Sequence, residues 1–461
     1  MEKALLSLRH ANPDLHSARD YKITTTHRNI KINPQSEKHL DILSQDKDLI
    51  LYTYPMDREI VEGGDFYIDP DAPSDKPLPL YTTIEVDHEL PEGIPYEILY
   101  NLHNPQADED YEILQSNNRR DVSFIDLLVN ESWRIIGEGK QSNTRGASSA
   151  KYYPSGLIRT YDSSKGNYVG IYGLKIRYRR GLFPKYAFTN RYGTFRVNKS
   201  YSRSISYDFN FERYDFKITT PGRSHPVGVT TAHTRSSLRL NFSRSDIRSY
   251  YATIFRAAHH YYHEYIKSLS RPPQNSLLGR QLKIEAFKGT DPEGSLATHK
   301  AVNTTFSRTS LLKIYDSSRE TKITYGAVIH ELAHAAHWRL GKKDDFRYAS
   351  SKVQESWATG VEWSLTSTIY SDYQSNNFKP LYTGVVQDMI DSDTKFSIDS
   401  TDDDTKNELK DRREYVVGYT ISQIEAALKG KRTWTSWRDN IKAKYNNATE
   451  HHLDPLFQLW N

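Results

Sequence analysis

A pair of histidines four residues apart is the part of this chain whose residue types and spacing could perform chemistry. Residues 325–334 read Tyr-Gly-Ala-Val-Ile-His-Glu-Leu-Ala-His, so His330 and His334 enclose Glu331. Residues four apart on a helix lie on nearly the same face, and the two imidazoles could therefore bind one zinc ion. Glu331 points about 100° away from His330 on a helix of about 3.6 residues per turn. It is expected to act as the general base toward a zinc-activated water.

The surroundings of this motif predict a buried helix. Apart from the two histidines and the glutamate, every residue from 327 to 336 is Ala, Val, Ile or Leu. The polar side chains of such a buried helix need interaction partners, and a metal ion bound by the histidines is one such partner. The alternative is that hydrogen bonds within the protein satisfy them without a metal. Gly341 is predicted to end the helix. His337 shares the face but lies about 10 Å along the axis from His330, so it should pack beside the site.

A later segment offers a third ligand. Residues 355–363 read Glu-Ser-Trp-Ala-Thr-Gly-Val-Glu-Trp, and the serines at 350–351 favour a helix start just before them. Together with the first motif, this segment resembles the gluzincin zinc metallopeptidases, in which a Glu follows the His-Glu-x-x-His helix at about this distance. The resemblance implies zinc as cofactor, peptide-bond hydrolysis as the activity, zinc ligands at His330, His334 and Glu355, and a catalytic base at Glu331.

Glu362 is the rival third ligand, because it lies on the same helical face seven residues after Glu355. A short connection after Gly341 favours Glu355, since Glu362 would require a shift of about 10 Å along the helix axis. The thermolysin pattern has an Asp four residues after the Glu, which orients a ligand histidine. This chain has Thr359 at that position.

A peptidase also needs a donor for the negative charge that develops on the substrate oxygen. Tyr419 is the predicted donor and Tyr415 the second candidate, although the chain contains 33 tyrosines. Both precede Thr420, which resembles the capping-box start of a helix that runs to Leu428.

Two further clusters have simpler interpretations. His259 and His263 are four residues apart in a helical run from Ile247 to Leu269 and could bind a metal, but a polar face packed beside the site is the favoured interpretation. The three aspartates at 402–404 lack the spaced ligands of a calcium loop, and a solvated loop is favoured there.

The elements that would position these residues change in type along the chain. Short apolar runs between Pro, Gly and Asp turns predict irregular β structure up to about residue 150, with one helix candidate at 124–133. Strand-length runs follow from 156 to 218, and after about residue 235 the pattern is mainly helical, with strands at 282–287 and 311–315. The strand at 311–315 is expected to lie at a sheet edge and to pair with an extended substrate.

The runs Leu174-Lys175-Ile176-Arg177 and Tyr186-Ala187-Phe188-Thr189, with the turn Asn190-Arg191-Tyr192-Gly193, resemble carboxypeptidase-regulatory-like, transthyretin-like sandwiches. The fold class predicted for the whole chain is multidomain α+β. Residues 1–150 would form a β-rich region, residues 151–220 a small β-sandwich, and residues 221–461 a mainly helical metallopeptidase-like domain with a small sheet.

Composition narrows the possible functions. The chain has no cysteine, which excludes disulfides, thiolate metal sites and cysteine nucleophiles. Its 62 Lys and Arg against 58 Asp and Glu form no dominant basic block, so no nucleic-acid partner is expected. No apolar run is long enough to predict a transmembrane segment. The Tyr, Thr, Ser and Asn content favours an exported chain (secreted, periplasmic or cell-surface) whose signal was removed.

Three functions therefore compete. The favoured one is a zinc metallopeptidase acting on a protein or peptide substrate. The second is an envelope or surface binding protein that keeps a peptidase-like scaffold and binds its partner through the β-rich N-terminal half. The third is a zinc hydrolase with a non-peptide substrate.

Overall fold

The computed structural model contains both helices and sheets. It describes residues 1–11, 13, 20–46, 49–52, 54–57, 77–104, 113–116, 119–135, 151–180, 182–201, 204–223, 226–231, 234–275, 281–295, 297–303, 308–374, 380–390 and 416–461. Eleven α-helices and several mainly antiparallel sheets lie in these residues. None of the helices in these ranges is long and apolar enough to cross a membrane.

The N-terminal part combines a small antiparallel sheet with three helices. The sheet has the strand order β2 (Leu80–Glu85), β1 (His27–Ile32), β3 (Tyr96–Leu102). The helices α1 (Glu2–Ala11) and α3 (Phe124–Ile135) share a separate apolar cluster around Phe124 and Leu128. The helix predicted at 124–133 is confirmed as α3. The elements are α1 (Glu2–Ala11), β1 (His27–Ile32), α2 (Glu37–Gln45), β2 (Leu80–Glu85), β3 (Tyr96–Leu102), β4 (Ile113–Ser116), β5 (Arg119–Ser123) and α3 (Phe124–Ile135).

Two four-stranded sheets follow and face each other across a buried core. The ring of Phe195 packs against that of Tyr207 at 5.7 Å between centroids, which joins one sheet to the other. Gly193 adopts φ 76° in the turn before Phe195, a conformation that favours glycine. The first sheet contains β6 (Ser155–Asp162), β7 (Asn167–Gly170), β10 (Thr194–Arg196) and β14 (Leu238–Phe242); the second contains β8 (Lys175–Arg180), β9 (Phe183–Phe188), β11 (Ser206–Asn210) and β13 (Gly228–Thr230).

Strand pairing crosses residue 220, the predicted boundary between the sandwich and the catalytic region. β14 lies beyond that residue but pairs in parallel with β6. β12 (Phe216–Thr219) lies before it, yet pairs in parallel with β15 (Leu282–Ala286) of the next sheet. One continuous apolar core joins the sandwich to the helices behind it. The domain boundary at residue 220 therefore remains a prediction, and strands on either side of it pair with each other.

The C-terminal part contains a four-stranded sheet with the order β12-β15-β17-β16, in which β16 is Ala297–Asn303 and β17 is Arg308–Ile314. The strand predicted at 311–315 corresponds to β17, which is central, so its expected place at the edge is wrong. The edge strands are β12 and β16, and the sequence pattern did not predict β16. The elements are α4 (Ile247–His263), β16 (Ala297–Asn303), β17 (Arg308–Ile314), α5 (Thr321–Leu340), α6 (Lys343–Arg347), α7 (Ser351–Thr366), α8 (Val385–Ile390), α9 (Ile421–Leu428), α10 (Trp434–Lys444) and α11 (Leu453–Leu459).

The central helix of this part is α5, which packs against α4 and α7 and against the strands β16 and β17. Its residues from Thr324 to Trp338 are all buried, in agreement with the apolar sequence. Its first backbone N–H groups donate to the hydroxyls of Ser163 and Ser164, each at 2.9 Å, so the sandwich caps the helix. It ends at Leu340, before Gly341, as predicted.

Candidate metal centre

Two helices bring His330, His334 and Glu355 together. The histidines lie in the third turn of α5 and beyond, and Glu355 lies one turn after the start of α7, where the Ser350 hydroxyl caps the helix by accepting from the Val353 N–H. The Nε2 atoms of His330 and His334 lie 3.1 and 3.2 Å from the same oxygen, Oε2 of Glu355. Within the described part of the chain, these residues are the one group of His, Asp and Glu side chains close enough to share a metal ion.

The donor atoms fit a tetrahedral zinc site. Their mutual distances stay within 4.8 Å. Neighbouring donors of a zinc ion with bonds of about 2.1 Å are about 3.4 Å apart, close to the two nitrogen–oxygen distances found here. Two imidazole nitrogens and one carboxylate oxygen are also the ligand types of a catalytic zinc site that keeps one position open.

The electrostatics of the cluster favour a cation. Burial alone would lower the pKa of His330, but its hydrogen bonds to Glu355 and Glu362 outweigh burial and raise that pKa to about 10. Burial likewise opposes ionisation of Glu355, yet its hydrogen bonds to the two histidines lower its pKa. Three carboxylates, those of residues 331, 355 and 362, lie around two imidazoles, and a proton on His330 or a bound metal ion would balance their negative charge.

Glu362 contacts the cluster from the outside. Its Oε2 lies 2.9 Å from Nδ1 of His330, the ring nitrogen that points away from Glu355. Its other oxygen accepts a hydrogen bond from the hydroxyl of Tyr373. A carboxylate in this position fixes the tautomer and the orientation of a ligand histidine. The gluzincin resemblance expects an Asp four residues after Glu355 for this task, where the chain has Thr359; in the structure the carboxylate that contacts Nδ1 of His330 is that of Glu362.

Glu331 lies beside the cluster and is buried, with 6% of its surface exposed. Burial is the main cause that raises the pKa of its carboxyl; the two ligand histidines lower this pKa, and the carboxylates of Glu355 and Glu362 raise it. A carboxyl with a raised pKa next to a metal site suits a general base, whose ideal pKa lies near the working pH.

Tyr382 belongs to the site and was missed by the sequence analysis. Its ring lies 5.9 Å from that of His330, and burial followed by the neighbouring carboxylates, Glu355 foremost, raises its pKa to about 12. The loop that carries it is fixed to α7, because the Ser356 hydroxyl donates to the Leu381 carbonyl and accepts from the Thr383 hydroxyl. No sequence motif distinguishes this tyrosine from the other 32. It is identified only by the position of its loop, which packs against α7.

The two tyrosines that were predicted as oxyanion donors are placed differently. Tyr419 is buried near α8, and its backbone N–H donates to the carbonyl of Met389 at 3.1 Å. Burial and then the carboxylate of Glu450 raise its pKa to about 12, and the contacts found among the described residues do not connect it to the metal ligands. Its role as donor stays a prediction. Tyr415 lies outside the described residues.

An aromatic wall flanks His334. The ring of His334 lies 6.1 Å from His299 of β16 and 6.1 Å from Phe346 of α6. His337 packs edge-on against the same Phe346 at 5.0 Å and is buried, as expected for a residue beside the site. Burial, with the neighbouring His334 as a smaller cause, lowers the pKa of both His299 and His337 to about 3. This wall is therefore neutral near pH 7.

The other clusters singled out from the sequence lie elsewhere. The rings of His259 and His263 lie 5.1 Å apart; His259 Nδ1 is 3.3 Å from Glu264, and His263 Nε2 is 3.9 Å from Asp215. They pack where α4 meets the sandwich. The aspartates at 402–404 lie outside the described residues.

Comparison with known proteins gives no relative for this chain: no family model, no curated protein and no solved structure matches it. The arguments about function below therefore rest on the residues and their geometry.

Proposed function

We propose that the chain is a zinc-dependent hydrolase that cleaves peptide bonds. The observation that carries the proposal is the convergence of His330, His334 and Glu355, with a buried Glu331 beside them. Zinc, when bound, lowers the pKa of a coordinated water to about 7 and polarises the substrate carbonyl.

The residues of the chain would then share the work as follows. Glu331 takes one proton from the attacking water and passes it to the leaving amine as the C–N bond breaks, so that one water is consumed and an acid and an amine are formed. Glu362 keeps His330 in the tautomer whose Nε2 faces the metal. Tyr382, whose hydroxyl is hydrogen-bonded to Glu355 and has a raised pKa, would donate toward the developing oxyanion.

The place of a peptide substrate is suggested by β16. Among the described residues this strand pairs with β17 alone, and it contacts α5 next to the proposed ligands. His299 of β16 stacks beside His334. An extended peptide that added itself to the other side of β16 would run past the metal and would be held by main-chain hydrogen bonds.

The first prediction concerns Glu331→Gln in the zinc-loaded full chain. The amide cannot accept the water's proton, so cleavage of an unfolded protein substrate should fall by at least about 100-fold. Zinc content, measured by elemental analysis, and the melting temperature should stay close to those of the wild type. In the same assay, Tyr382→Phe should lower kcat more than Tyr419→Phe.

Each result separates the competing functions. Wild-type cleavage by Glu331→Gln would refute the assignment of the base. Stoichiometric zinc without cleavage of any peptide, but with hydrolysis of a small ester, would point to a non-peptide substrate. If the wild-type chain binds no zinc, the proposal is refuted. The remaining function is then the binding protein that keeps a peptidase-like scaffold.

A further inference from the structure

The side chain of Tyr373 connects the turn after α7 to the candidate metal centre. α7 ends at Thr366, and Tyr373 follows seven residues later, with 4% of its surface exposed. Its hydroxyl donates to Oε1 of Glu362. The other oxygen of that carboxylate, Oε2, lies 2.9 Å from Nδ1 of His330. Two successive hydrogen bonds therefore join the tyrosine to a proposed zinc ligand.

Both oxygens of Glu362 are engaged in this arrangement. A glutamate side chain has three rotatable bonds, and fixing it costs up to about 2 kcal/mol of conformational entropy. The contact with His330 fixes one oxygen, but it leaves the carboxylate free to rotate about that contact. The Tyr373 hydroxyl removes this freedom, because it holds the second oxygen as well.

The Tyr373 hydroxyl is a reliable donor. Burial first, and then the carboxylate of Glu362, raise its pKa well above the ordinary value, so the hydroxyl stays protonated near pH 7. The side chain of Glu362 is largely buried, with 14% of its surface exposed. Water therefore replaces a lost donor poorly at this place, and a hydrogen bond to a charged group contributes about 1.5–3 kcal/mol.

Gly326 of α5 makes room for this contact. It lies four residues before His330, one turn earlier on the same helix. A Cβ at this position would clash with the Tyr373 hydroxyl and would crowd Oε1 of Glu362. Glycine inside a helix costs about 1 kcal/mol relative to alanine. The helix thus has its least favourable ordinary residue where the tyrosine meets the glutamate, as expected if their close contact is needed.

The turn that carries Tyr373 is held in place by contacts of its own. The Tyr370 hydroxyl donates to the buried carboxylate of Asp162, at the end of β6, at 2.7 Å. The Tyr370 ring packs edge-on against Tyr325 of α5, with 5.5 Å between centroids. The backbone N–H of Tyr373 donates to the Tyr370 carbonyl at 2.9 Å. The sandwich and α5 together therefore fix the position from which Tyr373 contacts Glu362.

We propose that Tyr373 is a positioning residue of the metal centre: its hydroxyl holds Glu362 against His330 and so keeps Nε2 of that histidine directed at the zinc. This inference rests on the proposed zinc site. Because both oxygens of Glu362 are engaged, the same contact keeps this glutamate from turning toward the metal as a further ligand. A tyrosine with a purely structural role would stabilise the fold without affecting the metal.

The zinc affinity of the full chain, measured by competition with a chelator, tests the proposal. Tyr373→Phe keeps the ring and removes the donor. It should weaken zinc binding by about 10-fold, as expected for the loss of one hydrogen bond to a charged group. Tyr370→Phe is the matched control, because it removes a buried hydroxyl of the same turn whose partner is Asp162. It should lower the melting temperature and leave the zinc affinity unchanged.

Two further measurements separate positioning from general stability. The visible absorption of the chain loaded with Co²⁺ instead of zinc reports the geometry of the ligands without any assay of activity. Tyr373→Phe should shift these bands, whereas Tyr370→Phe should not. In a Glu362→Ala background, Tyr373→Phe should cause no further loss of zinc affinity, because the hydroxyl acts only through that carboxylate.

The outcomes distinguish this inference from the proposed function. Unchanged zinc affinity and an unchanged cobalt spectrum in Tyr373→Phe would overturn the positioning role and leave the zinc site intact. Equal losses of affinity in Tyr373→Phe and Tyr370→Phe would overturn it too, since they would indicate a general loosening of the turn. So would an undiminished effect of Tyr373→Phe in the Glu362→Ala background. A wild-type chain that binds neither zinc nor cobalt would overturn both proposals.

Discussion

Two glutamates of the same helix contact the same histidine from opposite sides. Glu355 faces Nε2 of His330, and Glu362 faces Nδ1, at 3.1 and 2.9 Å. A neutral imidazole donates from one nitrogen and binds a metal through the other. We therefore propose different tasks for the two carboxylates: Glu355 would be a metal ligand, and Glu362 would accept from His330 and orient its ring.

The second prediction follows from this difference. Glu362→Gln should weaken zinc binding by about 10- to 100-fold, the usual effect of losing a partner that orients a ligand. Glu355→Gln should weaken it by several further orders of magnitude, because it removes a charged ligand. Competition with a chelator measures both affinities. If Glu362→Gln were the more damaging change, the two assignments would have to be exchanged.

Among the individual site residues, the sequence predicted those whose arrangement depends only on their spacing along one helix. His330, Glu331 and His334 lie within five residues on one helix, and their arrangement follows from helical geometry alone. The task of Glu362 depends on how α7 is rotated against α5, and the place of Tyr382 depends on a loop that returns to α7. Neither is encoded in a short pattern, since both come from packing between segments that are distant in sequence.

Elements with strong local signals were predicted best. The predicted caps at Ser350 and Thr420 start helices in the structure, and their side chains accept from backbone N–H groups three residues ahead. α4 is shorter than the predicted run to Leu269, because Glu264 already leaves the helical conformation with φ −107° and ψ −173°. Further on, Lys267 and Ser268 adopt φ of 55° and 61°, which a right-handed helix does not allow.

The edge strand β16 was not predicted because its local sequence signal is weak. Its sequence, Ala-Thr-His-Lys-Ala-Val-Asn, has neither clear alternation nor β-branched runs. Seven residue pairs with β17 hold it in place. Pairing with the neighbouring strand stabilises a strand of this kind, so its own residue propensities do not reveal it.

The close contact of α5 with Tyr373 and Glu362 depends on Gly326, and it carries the third prediction. A Cβ at that position would lie 2.2 Å from the Tyr373 hydroxyl and 3.1 Å from Glu362. Gly→Ala within a helix usually stabilises by about 1 kcal/mol. Here overpacking, which costs about 1–3 kcal/mol, should reverse the sign.

Chemical denaturation measures this effect, and Gly326→Ala should lower the free energy of unfolding. The substitution should also weaken zinc binding, because it displaces Glu362 from His330. In a Tyr373→Ala background the clash with the tyrosine is removed, so the same substitution should become neutral or stabilising. A destabilisation of equal size in both backgrounds would show that Tyr373 is not the cause.

At the scale of the whole molecule, the parts are joined more closely than the composition suggests. The Thr160 hydroxyl of β6 donates to that of Ser249 on α4 at 2.9 Å, and the rings of Phe211 and Phe255 meet at 6.1 Å. The N-terminal part contacts the sandwich as well, because Arg177 of β8 donates to the Leu51 carbonyl and lies 4.6 Å from the ring centre of Tyr52. The compositional changes mark where the element types change, but the core is continuous across the change near residue 220.

The last prediction tests this continuity with two fragments. Residues 151–220 lack β14 and β13, which pair with β6 and β11, and also the buried Leu238 and Phe242. This fragment should give no cooperative thermal transition by circular dichroism, because one sheet loses a strand along the full length of its pairing and the shared core is open to water. Residues 151–461 keep all these elements and should melt cooperatively and bind zinc. A cooperative transition in the short fragment would show that the sandwich folds without the helices, and the boundary at residue 220 would then hold.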